Sequence, residues 1–202
     1  MVYRAFCAQA LFEYLLTRAT ADYVGAVIAS AEGCKAKLLE AGFHELGFED
    51  FLETFLNQLK DIAAKRIDVI QLMERMNATA NEHGGAQISD FLVMFLRVLT
   101  SAELERRKDF FMPFIAEEAV DMYAFRTQRV DPMGEEADQL HIIALVDALG
   151  VAVRVEYLDG SGGAEVTHHD FLPTCGGPST DQQGTPCITL QYRPGHYDIL
   201  LQ

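Results

Sequence analysis

The residues with the clearest potential for chemistry are His196 and Asp198, two positions apart in the stretch RPGHYDILLQ. In an extended strand, side chains at i and i+2 project from the same face, with Cα atoms about 7 Å apart. A carboxylate at that distance can hold an imidazole, fix its tautomer and stabilise the imidazolium that forms when a nucleophile gives up its proton. The pair therefore predicts half of a general-base system. The alternative is two polar residues on a strand edge, because the chain has six histidines and thirty acidic residues.

The cysteines are the candidate partners for such a base, and none of them has the spacing of a metal site. They show no C-x-x-C pair and lie at Cys7, Cys34, Cys175 and Cys187. This usage is typical of free thiols in a reducing compartment. The adjacent His168 and His169 would face opposite ways on a strand, so we interpret them as solvated loop residues and not as zinc ligands. The sequence predicts no metal and no organic cofactor.

Composition and charge narrow the class of protein. The 202 residues carry a formal net charge of −14, which argues against nucleic acid and favours a cationic partner surface. Half of the residues are hydrophobic and the mean hydropathy is +0.05, but charges interrupt every apolar stretch well short of the roughly 20 residues that a membrane span needs. We therefore expect a soluble intracellular protein, located in the cytoplasm with the nucleus as a second compartment.

Helical periodicity dominates the first 150 residues. Apolar side chains recur every three or four positions there, and Gly42 and Gly150 are predicted to end two of the helices. Ser89, which is followed by Asp90, is predicted to be the N-cap of the helix over residues 91–107. The predicted helices cover residues 3–18, 21–41, 47–65, 68–77, 91–107 and 135–150.

The last 50 residues change to a period of two, which indicates strands. The predicted strands cover residues 151–159 and 187–193, and residues 194–202 are predicted to form a turn and a last strand. The sequence therefore predicts an α+β fold in a single domain over residues 1–202, with a helical part packed on a carboxyl-terminal antiparallel sheet. His196 and Asp198 begin the last strand and face the helical part. A thiol that they activate belongs at a helix N-terminus, where the dipole lowers its pKa, and the first helix is the candidate.

Several blocks together resemble the otubain family, the ovarian-tumour-type cysteine peptidases that cleave ubiquitin isopeptide bonds. The resemblance covers essentially the whole chain and implies the cysteine-peptidase-like fold of that family. It is carried by the blocks YRAF at 3–6, GFxE..FEDFxxTF at 42–55, FLVMFLRVLTSAEL at 91–104, FFMPFI at 110–115, the long block DPMGEEADQLHIIALVDALGVAVRVEYLD at 131–159, and LQYRPGHYDILL at 190–201.

The resemblance assigns roles to the residues of the terminal block. In otubains the catalytic histidine and aspartate lie in R-P-G-H-Y-D-I-L, which implies His196 as general base and Asp198 as its orienting carboxylate. Candidates for the ubiquitin cleft are Glu136, Pro194, Gly195 and Tyr197. Pro194 and Gly195 would shape the turn that presents the imidazole, and their alternative role is an ordinary hairpin turn. Glu136 would contact His196 in a resting state, and its alternative role is to complement the dipole of the following helix.

The nucleophile of the family lies in D-G-N-C-F-Y-R-A-F, whereas this sequence reads M-V-Y-R-A-F, so Met1 stands at the cysteine position. A thioether cannot form an acyl-enzyme. Cys7 lies six residues further along the same predicted helix, about 9 Å away and rotated by roughly 240°, which is out of reach of the base. Cys34 is expected to be a small buried residue and Cys175 a loop residue. We therefore expect a domain truncated at its N-terminus and a 202-residue form that is inactive.

Three interpretations follow from these expectations. In the first, the natural protein is longer and is a ubiquitin thioesterase and isopeptidase that uses Cys-His-Asp acyl transfer. In the second, the chain is complete and acts as a non-catalytic regulatory protein that binds ubiquitin or ubiquitin-conjugating enzymes. In the third, the chain is a fragment that folds poorly because apolar core is exposed. The expected partners are ubiquitin and polyubiquitin conjugates, together with conjugating enzymes.

Overall fold

The computed structural model of the chain describes residues 10–78, 87–158, 166–174, 185–194 and 196–200. Met1, Cys7, Cys175 and Gly195 lie outside the described residues. Within the described ranges the helices are α1 (Phe12–Thr17), α2 (Ala21–Glu40), α3 (Glu49–Ala63), α4 (Val69–Asn77), α5 (Ile88–Arg106), α6 (Lys108–Ile115), α7 (Met122–Phe125) and α8 (Gln139–Leu149). A 3₁₀ turn at Glu45–Gly47 precedes α3, and a π turn at Arg126–Val130 follows α7.

The helix ends follow from local chemistry. Gly42 (φ +84°) follows α2, and Gly150 (φ +73°) ends α8 in the left-handed conformation that residues with a Cβ avoid. Both glycines are therefore confirmed as helix terminators. The prediction for Ser89 is wrong, because α5 already begins at Ile88 and Ser89 lies buried within its first turn. Gln87 holds the N-cap position with extended backbone and makes no side-chain cap hydrogen bond.

The described strands form one sheet in the order β2-β1-β3-β4. The strands are β1 (Val153–Tyr157), β2 (Thr167–Phe171), β3 (Ile188–Arg193) and β4 (His196–Ile199). Pairs β1–β2 and β3–β4 are antiparallel, but β1 and β3 are parallel. The α+β fold is confirmed, and the expected wholly antiparallel sheet is corrected to a mixed one. The chain between β2 and β3 is long enough to cross to the other side of β1, and a period of two does not encode pairing direction.

Two histidines expected in a loop belong to this sheet. His168 and His169 lie in β2 and are solvent-exposed. Their interpretation as loop residues is therefore wrong, although their exposure is as expected. The strand is short and polar, which suits an edge position because charged and polar side chains there discourage pairing with another chain.

The main core lies between the helices and one face of the sheet. Helix α5 is its centre, since it packs against both α3 and α8 and most of its residues are buried. The Phe55 ring lies 5.4 Å from that of Phe12 and 4.7 Å from that of Phe95, measured between centroids, which ties α1, α3 and α5 together. The core also takes in Leu190 of β3 and Tyr197 of β4. The hairpin that carries His196 and Asp198 is therefore anchored in the core.

A second, smaller apolar cluster lies around α6 and α7, with Phe111, Ile115 and Phe125 at its centre. Among the described residues, none of the helices combines the length and the apolar character that crossing a membrane requires. The organisation of residues 1–202 as a single domain stays a prediction.

Candidate active site

The β3–β4 hairpin brings His196 and Asp198 together. Arg193 of β3 pairs with His196 of β4, and Pro194 is a turn residue that follows β3. The Nε2 atom of His196 lies 3.0 Å from Oδ1 of Asp198, with the two side chains 38% and 47% exposed. Because an ionised carboxylate can only accept a hydrogen bond, Nε2 carries the proton in this contact. Nδ1 is then the ring nitrogen that can take a proton from a nucleophile.

The carboxylate of Asp198 has a second cationic partner that the sequence analysis missed. Nη2 of Arg193 donates to Oδ2 of Asp198 over 2.7 Å. The hydrogen bond from His196 and, after it, the hydrogen bond from Arg193 hold the pKa of Asp198 below its ordinary value. The carboxylate therefore stays ionised and able to orient the imidazole. The signal for Arg193 is its place at the end of β3, directly opposite His196.

A cavity of about 300 Å³ lies on the other side of the hairpin. Tyr197 stands between His196 and Asp198 in β4, so its side chain projects from the opposite face of the sheet. The ring centroid of Tyr192 lies 4.8 Å from that of Tyr197 and 5.4 Å from that of Tyr157. The cavity is lined by Arg129, Glu136, Ala137, Asp138, Gln139, Tyr157, Tyr192 and Tyr197.

Charged groups of the cavity wall are the carboxylates of Glu136 and Asp138 and the guanidinium of Arg129. Burial raises the pKa of the Tyr197 phenol, and the neighbouring groups Tyr157, Tyr192, Asp138 and Glu136 raise it further. Tyr197 is therefore a neutral phenol at any physiological pH. Glu136 lies in the cavity wall, and among the described residues it forms no ion pair with His196. The predicted contact between Glu136 and His196 is absent, because the cavity and the His196–Asp198 pair lie on two faces of the same hairpin.

A buried arginine of α5 holds the loop that carries Glu136. Arg97 of α5 is only 2% exposed. Its Nη1 donates to the carbonyl oxygen of Val130 over 2.7 Å, and its Nη2 donates to that of Glu135 over 2.6 Å. A buried guanidinium that satisfies two loop carbonyls holds the loop to the helix. The cavity wall thus rests on α5, the central helix of the core.

The other end of this loop is fixed by the N-cap of α8. The carboxylate of Asp138 accepts hydrogen bonds from the backbone N–H groups of Leu140 and His141 over 2.8 and 3.3 Å. Burial acts to raise the pKa of Asp138, but the hydrogen bond and charge of His141 and the backbone donors outweigh it, so the pKa lies below the ordinary value. Asp138 therefore complements the dipole of α8.

Neither described cysteine can supply the nucleophile for His196. Cys34 is fully buried, and burial raises its pKa to about 12, so the prediction of a small buried residue is confirmed. Cys187 precedes β3 and stands six positions before Arg193. At 3.3 Å per strand residue, this places it about 20 Å from the turn end of the hairpin where His196 lies. A role as nucleophile is therefore excluded for both thiols.

The first helix nevertheless lies against this hairpin. Ala10, Glu13 and Tyr14 share a small cavity of about 60 Å³ with Thr189 and Leu200 of the hairpin. The helix on which the sequence analysis places the nucleophile is therefore a neighbour of the strands that carry the base. Met1, the residue at the predicted nucleophile position, and Gly195 lie outside the described residues. Pro194 is an exposed turn residue, as expected.

The chain is similar to known proteins in both sequence and fold. Residues 2–202 match the family model of peptidase C65 otubain. The chain is 41% identical over 196 residues to an ovarian tumor domain-containing deubiquitinating enzyme 1 of Arabidopsis thaliana, covering 93% of the chain and 62% of the relative. It is 38% identical over 166 residues to the ubiquitin thioesterase OTUB1 of Homo sapiens, covering 82% of the chain and 55% of the relative. The chain thus spans less than two thirds of these relatives.

Solved structures give the same result for the fold. A complex of ceOTUB1, ubiquitin aldehyde and UBC13~Ub matches with a TM-score of 0.81 at 31% identity, over 99% of this chain and 74% of that chain. A complex of h/ceOTUB1, ubiquitin aldehyde and UBCH5B~Ub matches with a TM-score of 0.79 at 30% identity, over 99% of this chain and 71% of that chain. These matches confirm the predicted ovarian-tumour-type fold.

Proposed function

The chain belongs to the peptidase C65 otubain family, and from that membership we propose that it carries the base, the orienting carboxylate and the substrate cleft of a ubiquitin thioesterase and isopeptidase. The observation that carries the proposal is the 3.0 Å contact between Nε2 of His196 and Oδ1 of Asp198. This contact leaves Nδ1 to exchange protons with a thiol. The proposed place of action is the cytoplasm, with the nucleus as a second compartment, which suits the free thiols of Cys34 and Cys187.

The reaction is acyl transfer to and from a cysteine thiol. Nδ1 of His196 takes the thiol proton, and the thiolate attacks the carbonyl carbon at the C-terminus of ubiquitin. His196 returns that proton to the departing lysine amine as the C–N bond breaks and a thioester forms. It then deprotonates a water molecule that attacks the thioester, which releases the ubiquitin carboxylate and regenerates the thiol. Asp198 stabilises the imidazolium in each step, and the sequence of steps requires no cofactor.

The substrate cleft is proposed to run along the β3–β4 hairpin. Glu136 and Tyr197 contribute an acidic and an aromatic side chain to the wall of the cavity on the other face of the hairpin, and Pro194 lies in the turn that leads to His196. Carboxylates beside aromatic rings suit cationic and aliphatic side chains of an extended peptide. The formal charge of −14 acts in the same direction over longer range.

A charge reversal in the cavity tests this cleft. Glu136→Lys places a cation beside the tyrosines and is expected to weaken ubiquitin binding several-fold, as measured by NMR titration. Glu53→Lys, an exposed position of α3, makes the same change in net charge away from the cavity and is the matched control. Equal losses of ubiquitin affinity in the two variants would mean that only the overall charge matters. The cavity would then have no part in the substrate cleft.

For the 202-residue chain itself we propose that no acyl-enzyme forms. Cys34 is buried with a raised pKa, Cys187 lies at the far end of the hairpin, and Met1 stands where the resemblance places the nucleophile. The test is incubation with ubiquitin that carries a thiol-reactive C-terminal group, followed by mass spectrometry. No covalent adduct is expected. An adduct that maps to Cys7 would overturn this part of the proposal and identify Cys7 as a substitute nucleophile.

The second candidate function is non-catalytic binding of ubiquitin or of a ubiquitin-conjugating enzyme. It is favoured by the two matched otubain structures, which are complexes that contain UBC13~Ub or UBCH5B~Ub. The two candidates separate in a binding experiment with free ubiquitin, a free conjugating enzyme and a conjugating enzyme charged with ubiquitin. Preference for the charged enzyme supports the regulatory role. Binding to ubiquitin alone, with no gain from the conjugating enzyme, would eliminate that role.

A further inference from the structure

The face of the hairpin that carries His196 and Asp198 also carries Arg193. Directly opposite residues of an antiparallel pair share a face, as do residues two apart in one strand. Arg193 lies opposite His196, and Gln191 lies opposite Asp198. The two strands therefore align Gln191, Arg193, His196 and Asp198 on one face. From this place the long arginine side chain reaches Asp198 diagonally across the strands.

The two oxygens of the Asp198 carboxylate are divided between two partners. Oδ1 lies 3.0 Å from Nε2 of His196, and Oδ2 lies 2.7 Å from Nη2 of Arg193. A carboxylate held at one oxygen alone still rotates about its terminal torsion, which is broad and roughly two-fold. A second partner on the other oxygen fixes the plane of the group and keeps Oδ1 on the imidazole. The guanidinium suits this task because its donors are planar and rigidly spaced.

We propose that Arg193 is a positioning residue of the candidate site: it locks the carboxylate of Asp198 so that neutral His196 keeps its proton on Nε2 and presents Nδ1 to the nucleophile. The catalytic purpose of this arrangement rests on the proposed function. The contacts of Asp198 with Arg193 and His196 are themselves properties of the described residues. In this role Arg193 acts on the imidazole through Asp198.

The chain also provides an ion pair of the same type that involves neither His196 nor Asp198. Arg154 of β1 contacts Asp170 of β2 through Nε and Nη2 over 2.7 and 2.8 Å. The two residues lie opposite one another at the other edge of the sheet. The Arg193–Asp198 pair is half-exposed, and exposed ion pairs of this kind add little to stability. Removing either arginine is therefore expected to shift Tm by no more than about 2 °C.

The test is the tautomer of His196, read from the ¹⁵N shifts of its two ring nitrogens at pH 8.5 in ¹⁵N-histidine-labelled protein. The His196 signals are assigned with His196→Gln. The wild type is expected to show the Nε2–H form as the dominant tautomer. Arg193→Gln is expected to change the ratio of the two tautomers at least twofold, and Arg193→Lys to restore part of the change because an ammonium still donates to Oδ2. Arg154→Gln is expected to leave the His196 signals where they are.

The outcomes separate this inference from the proposed function. If Asp198→Ala changes the His196 tautomer and Arg193→Gln does not, the positioning role of Arg193 is wrong and the His196–Asp198 pair stands. If neither variant changes the tautomer, the pair itself fails and the proposed function loses its main support. The same ratio of His196 tautomers in Arg193→Lys and Arg193→Gln would also overturn the role, because the charge and donor of Arg193 would then be irrelevant.

Discussion

At the scale of single residues, the candidate site consists of side chains whose ionisation is set by their neighbours. Asp198 is held ionised by His196 and Arg193, whereas the thiol of Cys34 is held protonated by burial. The two groups illustrate opposite causes: hydrogen bonds to the charged form stabilise it, and loss of solvent disfavours it. One carboxylate is thereby prepared for orienting a base, and one thiol is excluded from acting as a nucleophile.

The inertness of Cys34 is a testable consequence. With a pKa of about 12, only about one Cys34 side chain in 10⁴ is a thiolate at pH 8, against roughly a quarter for an ordinary cysteine. Alkylation by iodoacetamide, followed by peptide mass spectrometry, is expected to be about 1,000-fold slower or more at Cys34 than for a free thiol. Equal rates at Cys34 and the half-buried Cys187 would contradict the buried environment described for α2.

The proximity of His196 and Asp198 was predictable, because it depends only on the period of one strand. Arg193 was not predictable to the same degree, because its contact with Asp198 depends on which strand pairs with β4 and in which register. The same limit applies to Glu136. Its place in the tyrosine-lined cavity follows from the packing of a loop more than 50 residues away in sequence against the hairpin.

At the scale of elements, the position of the cavity wall depends on the two ends of the loop between the π turn and α8. Arg97 fixes the first end, and the N-cap residue Asp138 fixes the second. The helix ends at Gly42 and Gly150 were predicted, because glycine is a local signal, whereas the helix starts at Gln139 and Ile88 were not. The parallel pairing of β1 and β3 was not, because both strands have the same alternation whichever way they run.

Removal of Arg97 tests the first end of the loop. Arg97→Met leaves the carbonyl groups of Val130 and Glu135 without their buried donor and is expected to cost about 3 kcal/mol in the free energy of unfolding. Urea denaturation measures this cost. Arg66→Met is the control, since the Arg66 side chain is 69% exposed and its loss should cost no more than about 0.5 kcal/mol. Similar costs for the two variants would show that Arg97 does not hold the loop.

Removal of the Asp138 side chain tests whether the N-cap fixes the second end of the loop and how the stability that it contributes depends on pH. Asp138→Ala is expected to lower the free energy of unfolding by about 1 kcal/mol at pH 7, as for other N-caps. Because the folded pKa of Asp138 lies below its ordinary value, this stability is present above the unfolded pKa and is lost as the pH falls through the folded pKa. The gap between variant and wild type should therefore narrow between pH 7 and pH 3 in urea denaturation.

Asp138→Asn separates the cap from the charge. An asparagine can still accept the hydrogen bonds from Leu140 and His141, so this variant should lose less stability at pH 7 than the alanine variant. Its difference from the alanine variant should change little with pH. A gap between Asp138→Ala and wild type that is as large at pH 3 as at pH 7 would contradict an ionised cap.

At the scale of the whole molecule, the chain is acidic and has the ovarian-tumour-type fold, and the cavity on the other face of the hairpin carries the carboxylates of Glu136 and Asp138 together with Arg129. If ubiquitin is the partner, part of the attraction is electrostatic and long-ranged. Raising the ionic strength from 50 to 500 mM shortens the Debye length from about 14 to about 4 Å and is expected to weaken ubiquitin binding several-fold in isothermal titration calorimetry. An affinity independent of salt would exclude a role for the acidic surface.

The central claim is that the tail of ubiquitin reaches the His196–Asp198 pair, and one measurement tests it without requiring a nucleophile. Ubiquitin is titrated into ¹⁵N-histidine-labelled protein while the ring signals of His196 are followed by NMR. The signals are expected to shift saturably with intact ubiquitin and to stay in place with ubiquitin that lacks its C-terminal tail. His196 signals that do not move although ubiquitin binds, or that move equally with both forms, would contradict the account.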